Sequence, residues 1–474
     1  MNPIQLVRQA ATGALVLLSV TAAPASAQTP SIAAQYQAVA DSLIHAATTD
    51  SAAYLRLGKL VDTFGHRLSG SASLEAAIGW VLREMQADGL QNVRGEPVMV
   101  PHWVRGAESA ELVRPRAMPL KMLGLGGSVG TPKAGITAPV LVVTSFDELS
   151  SRASEARGKI VLFDEPFTEY TATRKYRTDG ASAAARVGAV ACLIRSVASA
   201  SIRSPHTGAL TYDSTVKQIP AAALSVEDAM MLHRFVDRGE RVVVTLRMGA
   251  RTLPDSPSRN AVAEVVGREK PDEVVVLGGH IDSWDVGQGA MDDGGGAVSA
   301  WEAVRLIQRL GLRPRRTVRV VLWTNEENGG RGGQGYHDAH AAEVGRHVLA
   351  MESDNGVFNP TGYVFAGSDS AAAVVQQVAA LLRPIGATAV QRERESPAAD
   401  ITPLVEGGAP GMELQVDGSR YFWYHHSDGD TLDKLNPAEV ARCVAAMAVM
   451  AYVVADLPEP LARNPAATTG GTGY

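Results

Sequence analysis

Ten side chains that can bind a metal or move a proton follow one another along the second half of the chain. They are His280, Asp282, Asp292, Asp293, Glu326, Glu327, Asp354, His425, His426 and Asp430. The set contains imidazoles and carboxylates but no thiolate, a donor mixture that suits Zn, Mn or Co and not Cu(I) or an iron–sulfur cluster. Two divalent ions sharing one bridging carboxylate need about two further ligands each and leave positions open for water. Five ligands therefore suffice: His280, Asp292, Glu327, Asp354 and His426. Three carboxylates and one hydroxide balance two divalent ions, so a further carboxylate is surplus among the ligands and free to move protons. Taken singly, each motif has a plainer reading. Asp292-Asp293 before three glycines reads as a turn and helix cap, Glu326-Glu327 as a solvated pair, and His425-His426 among aromatics as core filling. His337 and His340, three positions apart, are less apt for a shared metal than an i, i+4 pair and are expected to be exposed.

What joins the first set is its place relative to the elements that must position it. EVVVLGG precedes His280, TVRVVLW precedes Glu326 and Glu327, and HVLAME precedes Asp354. Each run is short and almost continuously apolar, the pattern of a strand buried on both faces. Between them lie helical patterns, AVSAWEAVRLIQRLG and AAAVVQQVAALLRP. A further strand, GMELQV, and a last helix from Pro437 to Ala455 follow. Strands alternating with helices predict an α/β fold with a mixed, mostly parallel sheet covered by helices, whose functional groups collect beyond the carboxyl ends of the strands.

The first half reads differently. Residues 28–120 open with helical patterns, IAAQYQAVADSLIHAA and LEAAIGWVLREMQADGL, the second ending at Gly89. From about Leu123 to Gly249 come short β-branched runs separated by turns (APVLVVTS, GKIVLFDE, VGAVACLI, IPAAALS, RVVVTLRMG), which predict a β-rich domain over 121–252. RTLPDSPSRN reads as a proline-rich joint to the catalytic part at 253–458. The tail, 459–474, ends TTGGTGY and is expected to be disordered.

The chain has 474 residues, 46% of them hydrophobic, and a formal charge of -6, enough for two or three domains with no basic footprint for nucleic acid. The first 27 residues carry Arg8, an apolar run and Ala25-Ser26-Ala27, which reads as a signal peptide and implies a secreted or periplasmic protein. The apolar run is shorter than the roughly 20 residues a span needs, and no later stretch is read as reaching that length, so no membrane anchor is expected. Cys192 and Cys443, the two cysteines, both sit among apolar residues and read as buried free thiols.

GGHIDSWDVGQGAMDDGGGA, VLWTNEENGG, MESDNG and FWYHHSDGDT, with FGHRLSGS and VPHWVRGAES earlier, resemble the motifs of M28 family metallopeptidases over about residues 50–457. The resemblance implies a zinc exopeptidase fold, with the β-rich block as a protease-associated insert. It implies two zinc ions held by His280, Asp292, Glu327, Asp354 and His426, with Asp292 bridging. Glu326 would be the catalytic base and Asp282 the carboxylate that orients the site. His425 stands where many members have tyrosine, and is a candidate for stabilising the oxyanion. The implied substrate is a peptide or dipeptide, with its anchoring terminus left open, and the implied assembly is a homodimer. Two other chemistries compete. An M20-type dinuclear hydrolase also uses paired glutamates, although DDGGG and the insert favour M28. Gly126-Gly127-Ser128-Val129-Gly130 fits a serine nucleophile elbow, but the prolines and glycine that follow forbid the helix the elbow needs.

Overall fold

The computed structural model describes residues 31–463, together with Met1. The signal-peptide reading and residues 464–474 of the tail lie outside the described residues. Two sheets of eight strands each organise the chain. In the first sheet the strands follow the order Gln91–Val104, Arg251–Val265, Arg316–Trp323, Lys270–His280, His347–Glu352, Gly411–Val416, Pro360–Ala366 and Ala389–Glu393. The four central strands are parallel, and antiparallel strands flank them. This is the mixed, mostly parallel sheet that the apolar runs predict. Every residue of Arg316–Trp323 and of His347–Glu352 is buried.

Register places the chemistry. His280 pairs with Trp323 and Gly278 with Glu352, so the carboxyl ends of three neighbouring parallel strands stand level. Chain leaving those ends carries Asp282, Glu326, Glu327 and Asp354 to one rim. Helices Ile32–Thr48, Gly295–Arg309 and Pro437–Asp456 pack together over the sheet. The last of these runs to 20 residues and is apolar enough to cross a membrane, longer than the sequence reading allowed, but 83% of its most apolar window is buried inside the protein. It is a core helix, started by Asn436, which accepts from the Ala438 N–H, and by Pro437.

The second sheet runs Met118–Leu120, Glu108–Arg114, Val243–Met248, Ile136–Val143, Ile160–Phe163, Ala191–Arg195, Ala221–Leu224 and Met122–Gly124. All five strands expected between 121 and 252 are present, but two boundaries and one description change. The sheet begins at Glu108, ahead of residue 121. RTLPDSPSRN is no joint: it is the first part of the strand Arg251–Val265, which pairs with Gln91–Val104 as an antiparallel ribbon. Its prolines are tolerated because that part of the strand is largely exposed and its register shifts near Leu253. The unit is also more helical than its β-branched runs imply, since Tyr170–Arg186 and Val226–Asp237 cover the sheet. Tyr170–Arg186 buries Thr173, Tyr176, Gly180, Ala181, Ser182 and Ala184, a face of mostly small or polar residues that leaves no apolar 3.6-residue period to read.

Cys192 and Cys443 are free and buried, in separate clusters of the two halves. His340 is not exposed, contrary to expectation. The helix Arg331–Ala339 packs on the Gln91–Val104 strand, and His340 Nε2 meets Glu96 at 3.0 Å while its Nδ1 meets Glu343 at 3.1 Å. His337 is partly exposed. The tail is ordered through its first residues: Leu461 is buried, and Arg463 donates to the carbonyls of Val344, His347 and Gly407.

Candidate metal centre

His280 ends its strand with Nε2 3.2 Å from Asp292 Oδ1 and 3.2 Å from Asp354 Oδ1. The other oxygen of Asp292, Oδ2, lies 3.2 Å from His426 Nε2, and that nitrogen is 3.0 Å from Glu327 Oε2. Two histidine–carboxylate pairs thus share one aspartate, each facing a different oxygen of it. His425 also reaches Asp292 Oδ2, at 3.5 Å, with its ring stacked on His426 at a centroid distance of 3.5 Å. Asp292, His425 and His426 form one group able to hold an ion, and His280, Asp292 and Asp354 another. His426 differs from His425 in meeting Glu327 as well.

These donors fit a metal on a test independent of their names. His280 Nε2, Asp292 Oδ2, Glu327 Oε1 and Asp354 Oδ1 are all buried and make no hydrogen bond of acceptable geometry. Buried polar atoms are normally satisfied, and these unpartnered atoms sit on residues that pair through Asp292, where a cation would satisfy them. The electrostatics agree. Burial pushes the Glu327 carboxyl up to about 7, with Asp292 adding to the shift. Burial raises Asp354 too, and raises Glu326 well above the carboxylate range, where Asp354 and Glu327 reinforce it. Burial opposes charge on Asp292 as well, but His280 and His426 outweigh it and hold this carboxyl well below its ordinary value. The rim carries more buried carboxylates than its histidines can neutralise, and divalent ions would supply the missing positive charge.

Surrounding groups hold the donors in place. Asp282 is fully buried and accepts from the backbone N–H of Glu326 at 3.1 Å and of Glu327 at 3.4 Å. His280 Nδ1 lies 3.0 Å from the carbonyl oxygen of Asp282, which orients the imidazole. Asp293 accepts from the N–H of His280 and of Gly296, both at 3.0 Å. The peptide between Asp292 and Asp293 is cis. Asp430 accepts from three successive N–H groups, those of Ala290, Met291 and Asp292, and so fixes the loop that presents Asp292. Arg67 is fully buried and donates to the carbonyls of Gly65, Ile281, Gln288 and Gly289. Sequence reasoning saw FGHRLSGS and HHSDGD as motifs but missed what Arg67 and Asp430 hold, because their partners, Gly65 apart, are backbone groups more than 130 residues away.

A cleft of about 430 Å³ opens over these residues. Its walls include Asp292, Glu326, Glu327, Asp354, Asn355, Glu413, Tyr421, His425 and His426 from the first sheet's half, and Tyr170, Arg174, Arg177 and Thr211 from the second's. Within the glutamate pair, the side chain of Glu326 is 23% exposed to the cleft and that of Glu327 is 2% exposed. The cleft thus brings together all eight residues expected at the site except Asp282 and His280, which lie beneath it. Ser128 is elsewhere. It is buried, its hydroxyl donates to the Val129 carbonyl and accepts from the Ala221 N–H, and it offers no nucleophile.

Comparison with known proteins agrees with the geometry. The profile of peptidase family M28 matches residues 260–451. Carboxypeptidase Q of Mus musculus is 51% identical over 434 residues, 91% of this chain and 92% of that one. Carboxypeptidase Q of Homo sapiens is 52% identical over 411 residues, 87% of each chain. The crystal structure of a peptidase M28 precursor from Shewanella amazonensis SB2B superposes with a TM-score of 0.88 at 36% identity, covering 91% of this chain and 99% of that one. A zinc aminopeptidase from Bacillus subtilis, at 18% identity and a TM-score of 0.65 over 86% of this chain and 98% of that one, shares the fold. The chain belongs to peptidase family M28 and is a metallo-exopeptidase.

Proposed function

We propose that the protein is an exported dinuclear zinc exopeptidase that hydrolyses dipeptides or short peptides. The observation that carries the reading is Asp292, which presents one oxygen to His280 and the other to His426. For two zinc ions, His280 and Asp354 would hold one and His426 and Glu327 the other, with Asp292 shared between them. Zinc held by these residues would supply Lewis acidity, making hydroxide available near neutral pH.

The protein's own groups do the rest. Glu326, the carboxylate left outside the two ligand pairs and open to the cleft, takes the proton of the attacking water and returns it to the leaving amine. Its place 4.0 Å from His280 Nε2 sets it beside the donors without making it one of the closest. His425 is the candidate donor to the oxyanion, being stacked against His426 at the cleft wall. Asp282 positions the Glu326 and Glu327 backbone. In this reading the Glu108–Met248 unit is a protease-associated insert, and the leader is removed after Ala27.

Metal analysis combined with kinetics tests the assignment. Purified protein should hold two equivalents of zinc. Glu326→Gln should keep both while kcat falls by roughly 10²–10⁴-fold, the usual worth of a positioned acid–base group. Asp292→Ala should lose zinc along with activity. Retention of most activity in Glu326→Gln would sink the role given to Glu326.

A further inference from the structure

Four arginines among the described residues are buried: Arg67, Arg177, Arg316 and Arg319. Three are satisfied within the fold. Arg67 donates to four backbone carbonyls. Arg316 pairs with Glu273 and donates to the Leu457 carbonyl, and Arg319 pairs with Glu264 and Glu343 and donates to the Tyr336 hydroxyl. Arg177 is 5% exposed, yet its Nε has no hydrogen-bond partner. Its guanidinium makes two hydrogen-bond contacts among the described residues: Nη2 donates to the Tyr170 hydroxyl at 2.9 Å, and Nη1 lies 3.5 Å from His426 Nδ1. A guanidinium has five N–H donors, and a buried charge without a counter-charge is costly. The second contact weakens further under the metal-site reading, on which this inference rests. With Nε2 of His426 serving as a ligand, Nδ1 carries the ring proton, and two donors then face each other.

Arg177 lines the cleft, and so does the exposed Arg174 one turn earlier on the helix Tyr170–Arg186, with Thr178 and Thr211 beside them. The second sheet's half therefore brings cations to a cleft whose first-sheet wall supplies carboxylates. In a dipeptide the terminal carboxyl carbon lies within about 4 Å of the scissile carbonyl carbon, by standard backbone dimensions. Arg177 stands directly against a histidine of the metal centre, so a scissile bond held at that centre puts the terminal carboxylate within reach of the guanidinium.

We propose that Arg177, backed by Arg174, is the receptor for a substrate carboxylate and sets the enzyme's preference for substrates that carry one. The α-carboxylate of a C-terminal residue and an acidic side chain share this chemistry, and the ligands of the test separate them.

Binding is measured by calorimetry on zinc-loaded Glu326→Gln protein with alanyl-alanine, alanyl-alaninamide and alanyl-aspartic acid α-amide. At least one carboxylate-bearing ligand should bind about tenfold or more tighter than alanyl-alaninamide, the scale of a charge-assisted bidentate contact. Adding Arg177→Met should bring that ligand to within about twofold of the amide with zinc content unchanged. Arg177→Lys, in case the methionine variant fails to fold, should lose about threefold or more of the preference, because an ammonium lacks the planar fork. A preference that survives in either folded variant overturns the proposal. So does the absence of any preference in Glu326→Gln, and chelator-sensitive hydrolysis of alanyl-alaninamide by the native enzyme would then leave the metallopeptidase reading standing. Loss of chelator-sensitive hydrolysis for every peptide would overturn that reading as well.

Discussion

Asp400 is buried, and both of its carboxylate oxygens lie outside any hydrogen bond. Burial, aided by Asp282 and Asp354, pushes its pKa up to about 8. In the unfolded chain the same group titrates near ~3.9. A carboxyl whose folded pKa is raised favours folding below its unfolded pKa, and that contribution is lost as pH rises through the folded value. For metal-free protein, Asp400→Asn should therefore match the native chain near pH 4 and exceed it by about 1 kcal/mol or more above pH 8, since one pKa unit is ~1.36 kcal/mol. Denaturant titrations across that range check the sign; a variant that loses its advantage as pH rises contradicts it. Asp400 also shows what was not legible at this scale. Its role depends on Asp282 and Asp354, neither near it in sequence, whereas His280, Glu326, Glu327 and Asp354 could be picked out because each directly follows an apolar run.

The elements were legible where their pattern came from burial on both faces. The runs VVVLGG, VRVVLW and HVLAME became neighbouring parallel strands because nothing but a central sheet position accommodates them. Tyr170–Arg186 was hidden because its buried face is mostly small or polar, and Arg251–Val265 because its prolines suit an edge ribbon as well as a loop. The glycines around the site were legible as composition but not as geometry. A Cβ on Gly296 would sit 1.9 Å from the Ser353 carbonyl oxygen, and one on Gly279 would sit 2.3 Å from Asp293 Oδ2. The helix Gly295–Arg309 can approach the strand ends only without side chains at these positions. Gly296→Ala should cost about 3 kcal/mol or more, as overpacking against rigid backbone does. Gly345→Ala, where a Cβ meets nothing within 4 Å, should stay within about 0.5 kcal/mol. Equal effects in urea denaturation would refute the packing argument.

At the scale of the whole molecule, the site is where the halves built on the two sheets are tied together. Its donors come from chain segments between His280 and His426, so ligating them fastens several strand ends at once. The second half is fastened to the same place. Thr207 N–H donates to the His426 carbonyl at 2.9 Å, Ser199 N–H to the Phe422 carbonyl at 3.2 Å, and the Tyr170 ring stacks on Phe422 with centroids 5.0 Å apart. Arg105 grips Asp285 through both carboxylate oxygens, joining the ribbon's end to the loop after His280. None of these links could be read from either half alone. They imply that metal binding is read out in global stability, since a ligand that binds only the folded state contributes RT ln(1 + [L]/Kd), about 4 kcal/mol at a thousandfold excess over Kd. Chelation should lower the melting temperature of the native protein by several degrees, on the order of 2 °C per kcal/mol for a chain of this size. Glu326→Gln should show the same drop, because the proposed base lies outside the two histidine–carboxylate pairs, whereas Asp292→Ala should melt low from the start and not respond to chelator. Equal sensitivity of all three proteins to chelator in a thermal melt would mean that Asp292 does not join the two histidine–carboxylate pairs into one metal centre.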